Sequence, residues 1–152
     1  MKRILKIFAI FISLSVFLYA NDGVTRITSD GKLILNYFTK IADFKDNVIV
    51  KTSDGGKLKS DKLTVFFDSK GDDIEKMIAI GHVFIDQQDH QAEGDRAEYY
   101  SKTGRLILSG NPVIKKGENY YSAEVITINT QTNKVYFEPS AQIVIHDFKN
   151  EE

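Results

Sequence analysis

The chain has 152 residues, with 20 basic and 21 acidic side chains, 42% hydrophobic content, no cysteine and no tryptophan. Without cysteine there is no disulfide framework, thiolate-bound metal, cysteine nucleophile or lipoprotein anchor. A formal net charge of −1, more acidic once the basic N-terminus is set aside, argues against a nucleic-acid partner.

The chain begins Met1-Lys2-Arg3-Ile4-Leu5-Lys6 and runs apolar from Ile7 to Leu18, broken only by Ser13 and Ser15, before Tyr19-Ala20-Asn21-Asp22. A basic start, a short apolar stretch and a small residue before a polar one form an export-signal pattern, with cleavage after Ala20. The run is shorter than the ~20 apolar residues that span a bilayer, although Ile4-Leu5 and Tyr19-Ala20 bring a retained anchor within reach. The expected organisation is a signal peptide over 1–20, one domain over 21–148 and an acidic tail over 149–152. Removing the signal takes away Lys2, Arg3 and Lys6 and no acid, leaving 17 basic and 21 acidic side chains.

Downstream the chain repeats itself, which points to a stacked architecture. Ser60-Asp61-Lys62-Leu63-Thr64-Val65-Phe66 resembles Gly94-Asp95-Arg96-Ala97-Glu98-Tyr99-Tyr100, and both resemble Ala123-Glu124-Val125-Ile126-Thr127-Ile128-Asn129. Each is followed by a turn, a second strand and a break leading into a third strand. The breaks are Ile80-Gly81-His82-Val83, Ser109-Gly110-Asn111-Pro112-Val113 and Glu138-Pro139-Ser140-Ala141. Phe44-Lys45-Asp46-Asn47-Val48 looks like the same break in an earlier unit starting near Leu33.

Within each unit the apolar period is two, the mark of strands with one buried face. Asp72 to Ile80 carries Ile74, Met77 and Ile78 at helical spacing but reads as strand. The face expected to turn inward comprises Val48 and Val50; Leu63, Val65 and Phe67; Ile78, Ile80, Val83 and Ile85; Ala97 and Tyr99; Leu106, Leu108 and Val113; Ile126 and Ile128; Val135 and Phe137; Ile143 and Ile145. Two readings of that face stand open: a closed core, or an apolar groove between two sheets that accepts acyl chains. In the groove, lipid-facing candidates are Val65, Phe67, Ile80, Ile85, Tyr99, Leu106, Leu108, Ile126, Ile128, Phe137 and Ile143.

Candidate chemistry is sparse. His82, His90 and His146 fall in different units, and only His146 has an acid beside it in sequence, so they read as solvent-facing or turn residues rather than metal ligands. Asp61, Asp95 and Glu124 recur at one place in each unit, and equivalent positions in stacked units make a structural ladder rather than a catalytic pair. Gly55-Gly56-Lys57 lacks the spacing and following helix of a phosphate loop and reads as a hairpin turn. Lys57, Lys59, Lys62, Lys115 and Lys116 can face anionic head groups or protect exposed strand edges, the second being the simpler reading. No acid, base and nucleophile set, cofactor site or metal site is expected.

The recurring elements Gly81-His82-Val83-Phe84-Ile85, Gly94-Asp95-Arg96-Ala97-Glu98-Tyr99 and Gly104-Arg105-Leu106-Ile107-Leu108-Ser109-Gly110-Asn111-Pro112-Val113 resemble the OstA-like family. That family includes the periplasmic lipopolysaccharide transport protein LptA and the N-terminal domain of LptD, and the resemblance covers roughly residues 30–146. It implies an all-β fold, an open V-shaped β-jellyroll of stacked antiparallel strand repeats, whose interior carries the acyl chains of lipopolysaccharide. It further implies a periplasmic protein that stacks end to end with itself and bridges LptC-like inner-membrane and LptD-like outer-membrane components. If residues 4–20 are retained, an LptC-like anchored component is the related alternative.

Overall fold

The computed structural model describes residues 25–52, 55–87, 90–129, 131–132 and 134–146. The expected signal over 1–20 and acidic tail over 149–152 lie outside them. Twelve strands follow one another: β1 (Arg26–Thr28), β2 (Leu33–Asn36), β3 (Ile41–Lys51), β4 (Lys57–Phe67), β5 (Ile74–Gln87), β6 (His90–Tyr100), β7 (Arg105–Ser109), β8 (Val113–Lys116), β9 (Asn119–Ser122), β10 (Val125–Asn129), β11 (Lys134–Glu138) and β12 (Gln142–Val144). All pairings are antiparallel and no described residue is helical. Thr52 and Gly56 close the β3–β4 hairpin through a 3.0 Å backbone bond, so Gly55 and Gly56 lie in a hairpin turn and Lys57 opens β4.

The repeat units are not made of uniformly short strands. β3 to β6 run for 11–14 residues, about twice the usual length, and each is interrupted near its middle. The ladder slips between Lys45 and Val48, between Lys59 and Lys62, and between Ile80 and Val83. In β6 the partner changes instead: residues 90–93 pair with β8 and residues 96–100 with β7.

These interruptions line up and divide the sheet into two half-sheets. One runs β1, the second part of β3, the first of β4, the second of β5, the first of β6, then β8, β9 and β12. The other runs β2, the first part of β3, the second of β4, the first of β5, the second of β6, then β7, β10 and β11. The stack stays open, with β1 and β2 at one end and β11 and β12 at the other. This is the open all-β stack of antiparallel strands that the resemblance implies.

Backbone chemistry explains the fold line. Asp46-Asn47, Gly81-His82 and Gly110-Asn111 are pairs of residues with positive φ, from 47° to 84°, and Ser140 follows with 59°. Glycine, asparagine and aspartate tolerate that region best. Opposite each pair stands an acid. Asp30, Asp95 and Glu124 donate backbone N–H groups to the carbonyls of Asp46, Gly110 and Pro139 at 2.8, 3.0 and 3.1 Å. The Asn47 amide and Ser140 hydroxyl donate to the carboxylates of Asp30 and Glu124, and His82 meets Asp61. The recurring acids are thus the locks of the bend, with Asp30 as a fourth that lies outside the aligned repeats.

Candidate functional site

Directly opposed residues of an antiparallel ladder project from the same face, so the registers define what lies between the half-sheets. In the second half-sheet one rung reads Leu35, Ala42, Val65, Met77, Tyr99, Leu106, Ile128 and Val135. The next reads Leu33, Phe44, Leu63, Ala79, Ala97, Leu108, Ile126 and Phe137. In the first half-sheet Ile27, Val50, Leu58, Ile85, Ala92, Ile114, Tyr121 and Ile143 form a third. All three cross eight strands with apolar and aromatic side chains alone, their only polar groups being the hydroxyls of Tyr99 and Tyr121.

Their centres belong to one hydrophobic cluster. Leu108 and Ile126 are 0% exposed, whereas Leu33 and Ile143, at opposite ends of the stack, are 53% and 57% exposed. The apolar face therefore continues past the packed middle and opens onto solvent at both ends. Towards the free rim of the first half-sheet it turns polar, where Thr52, Gln87 and His90 are buried.

Of the expected lipid-facing residues, Val65, Tyr99, Leu106 and Ile128 share the first rung. Leu108, Ile126 and Phe137 share the second, and Ile85 and Ile143 the third. Phe67 lies beyond the first rung and packs against the cluster. Ile80 does not belong: it pairs with Lys62 and Arg96 on the outer face and is 42% exposed. Placing Ile78 and Ile80 inside requires a change of phase at Gly81-His82. The two left-handed residues instead preserve the alternation, so Met77, Ala79, Val83 and Ile85 all point inward. Val113 likewise yields its inner place to Ile114.

Other expectations also change. His90 is 2% exposed, not a solvent-facing residue. His82 has an acid beside it after all, Asp61 at 2.8 Å, brought there by the bend. Lys57, Lys59 and Lys62 lie on β4, inside both half-sheets, so they do not guard an edge. Lys115 on β8 pairs with Glu93 at 3.3 Å.

Electrostatic perturbation is seen at His82, Glu98, Asp68 and Lys57. The hydrogen bond with Asp61, and then its charge, raise the His82 pKa. Arg96, donating from Nε at 3.0 Å, holds Glu98 below the usual carboxylate range, helped by the Tyr100 hydroxyl. The Asp72 backbone N–H lowers Asp68 in the same sense. Lys57 is lowered chiefly by its neighbour Lys59. Among the described residues no group of three or more His, Asp or Glu side chains is arranged to hold a metal ion.

The sequence profile described as "LptA/(LptD N-terminal domain) LPS transport protein" matches residues 26–134. Nineteen chains of solved structures resemble the fold. One is the crystal structure of LptH, described as the LptA homologous periplasmic component of the conserved lipopolysaccharide transport device from Pseudomonas aeruginosa. It superposes with a TM-score of 0.69 at 20% identity, over 82% of this chain and 96% of that one. At that identity the likeness is one of fold. The comparison with curated proteins gives no match.

Proposed function

Because the chain belongs to the LptA/(LptD N-terminal domain) LPS transport protein family, we propose that it is a periplasmic carrier that holds the acyl chains of lipopolysaccharide between its half-sheets and passes the lipid from the inner towards the outer membrane. The family is one of transport proteins rather than enzymes. The observation that carries the reading is the set of three uninterrupted apolar rungs, exposed at both ends of the stack. An acyl chain lying along them gains about 0.8 kcal/mol per buried CH₂, and Val65, Phe67, Ile85, Tyr99, Leu106, Leu108, Ile126, Ile128, Phe137 and Ile143 are the contacts proposed.

Loading requires the half-sheets to part. That motion exchanges side-chain contacts for contacts with the acyl chain, both apolar. It bends the sheet where ladder bonds are already interrupted, at Lys45/Val48, Lys59/Lys62 and Ile80/Val83. The motion thus works against the acid locks at the bends rather than against continuous ladders.

The ends suit the same role. Among the described residues β1 and β2, and β11 and β12, each have a neighbouring strand on one side only, and such edges pair readily with another chain's strand. Stacking on a second copy, on an LptC-like inner-membrane component or on an LptD-like outer-membrane component satisfies those edges and prolongs the apolar face. The basic and apolar N-terminus supplies export, with cleavage after Ala20. Gel mobility of the exported form separates this from an anchored LptC-like component.

Photo-crosslinking in cells tests the carrier reading. A benzophenone amino acid at Tyr99 or Phe137 should give a lipopolysaccharide adduct, and one at outward Thr127 should not. The complete burial of Val48, Leu108 and Ile126 favours a second reading, a closed-core structural β-repeat, which expects no adduct at any of the three positions.

A further inference from the structure

The outer face of the second half-sheet carries a feature that a carrier of acyl chains does not need. One outward rung reads Phe66, Lys76, Tyr100 and Arg105 across β4 to β7, an alternation of rings and cations. The Lys76 ammonium lies 5.5 Å from the Phe66 ring centroid and 5.0 Å from that of Tyr100, within the range of cation–π attraction. Beside it the β6–β7 turn borders an open hollow of about 500 Å³, lined by Glu75, Lys76, Tyr100, Lys102, Arg105 and Ile107 among others. That volume falls within the range of small-ligand pockets.

The hollow is braced. The backbone N–H and the hydroxyl of Ser101 both donate to the Glu75 carbonyl at 3.0 Å, and Gln131 Nε2 donates to the Lys102 carbonyl at 3.0 Å. Tyr100 is oriented by its hydroxyl, which donates to Glu98 at 3.0 Å. The lining holds three cations and one carboxylate, Glu75; Glu98, on the adjacent rung, is engaged first by Arg96 and Tyr100 and only more weakly by Lys76. An excess of cations beside an aromatic and aliphatic floor suits a ligand with both a negative group and C–H faces.

We infer that this hollow binds an anionic saccharide, with the sugar lying against Tyr100 and Ile107 and its negative group paired with Lys76, Lys102 and Arg105. The anionic class follows from the hollow itself. The saccharide class rests on the carrier reading, since a lipopolysaccharide held by its acyl chains inside the cleft must leave its sugars outside. The hollow lies at the rim of the second half-sheet, away from the fold line.

The test is an NMR titration of the exported domain with deacylated, phosphate-bearing lipopolysaccharide saccharide, beside neutral dextran and inorganic phosphate. The expected result is saturable shifts at the Tyr100, Arg105 and Ile107 amides with the anionic saccharide and none with dextran. Arg105→Gln and Lys76→Gln should each weaken binding about fivefold or more, the scale of losing one charge-assisted contact, and Lys115→Gln should leave it unchanged. Arg105 is exposed, so its variant stays informative if Lys76→Gln fails to fold. Equal response to dextran, shifts elsewhere, or phosphate binding as tightly as the saccharide would overturn the site. The probe has no acyl chains, so that failure leaves the cleft untouched. Intact lipopolysaccharide shifting Leu108 and Ile128 but not Tyr100 would overturn the site as well.

Discussion

Nδ1 of His82 lies 2.8 Å from Oδ2 of Asp61, joining β5 to β4 where both bend. The contact raises the His82 pKa above its ordinary value of 6.5. A raised folded pKa means that the stabilisation is fully present below the unfolded value and is lost as pH rises through the folded one. The pair is largely exposed, so the effect is small. The difference in urea midpoint between the native chain and His82→Gln, followed from about pH 5 to about pH 8, should be largest at the acid end and shrink as pH rises. A difference that is flat across this window would mean that the pair contributes nothing to the bend.

The same fold line predicts a contrast between glycines. Gly110 has φ of 72°, and a Cβ there would run into the side chain of Asp95. Gly55 has φ of 91° and open space around its Cβ position. Gly110→Ala and Gly55→Ala share the conformational cost of a left-handed alanine, about 1–2 kcal/mol, and only Gly110→Ala adds a clash with a lock of the bend. Chemical denaturation should find Gly110→Ala the more destabilising of the two. Equal losses would mean that the acid ladder does not hold the bend.

Much of this architecture is legible in the sequence because its causes are local. Alternation marks the strands, and Gly-His, Gly-Asn-Pro and Asp-Asn mark the bends. The acid opposite each bend recurs because every bend needs a lock. What the sequence hides is parity across a break. Ile78 and Ile80 outrank Met77 and Ala79 in hydrophobicity, yet the inward place belongs to the smaller and softer pair, and only the paired registers reveal it. Ile27, Leu33 and Leu35 escape for another reason: their strands are short edges, where exposure dilutes the pattern. The cationic hollow joins residues of β5, β6, β7 and a turn, and no local signal announces it.

The register makes its own prediction. Ile80→Thr changes an outward residue beside Lys62 and Arg96 and should alter stability by about 0.5 kcal/mol or less. Met77→Thr places a hydroxyl among Val65, Tyr99 and their neighbours and should cost about 1–3 kcal/mol. Reversal of that order in thermal or urea unfolding would restore Ile80 to the inner face.

Self-association should depend on residues that the isolated fold does not need. Leu35 is 45% exposed and Ile143 57% exposed, at opposite ends of the inner face. Lysine at either position should leave the unfolding midpoint nearly unchanged, because neither side chain is packed. Sedimentation velocity over a range of concentrations should show assemblies of the native chain lengthening and those of Leu35→Lys or Ile143→Lys shortening. A native chain that stays monomeric throughout would remove end-to-end stacking of this protein on itself.

Leu108, 0% exposed between Ala97 and Ile126 in the ladder, separates packing from carriage. Leu108→Ala should cost about 2–5 kcal/mol through lost burial and the cavity left behind. Leu108→Asp, an unpaired charge on the same face, should prevent folding or abolish lipid binding. If acyl chains enter between the half-sheets, lipid binds the folded state alone and stabilises it by mass action. The alanine variant then offers extra room to the chain that displaces the side-chain contacts. Saturating lipopolysaccharide should therefore recover a larger share of the midpoint lost in Leu108→Ala than it adds to Thr127→Ala, whose change lies outside. Equal recovery in both variants would place the lipid elsewhere on the protein.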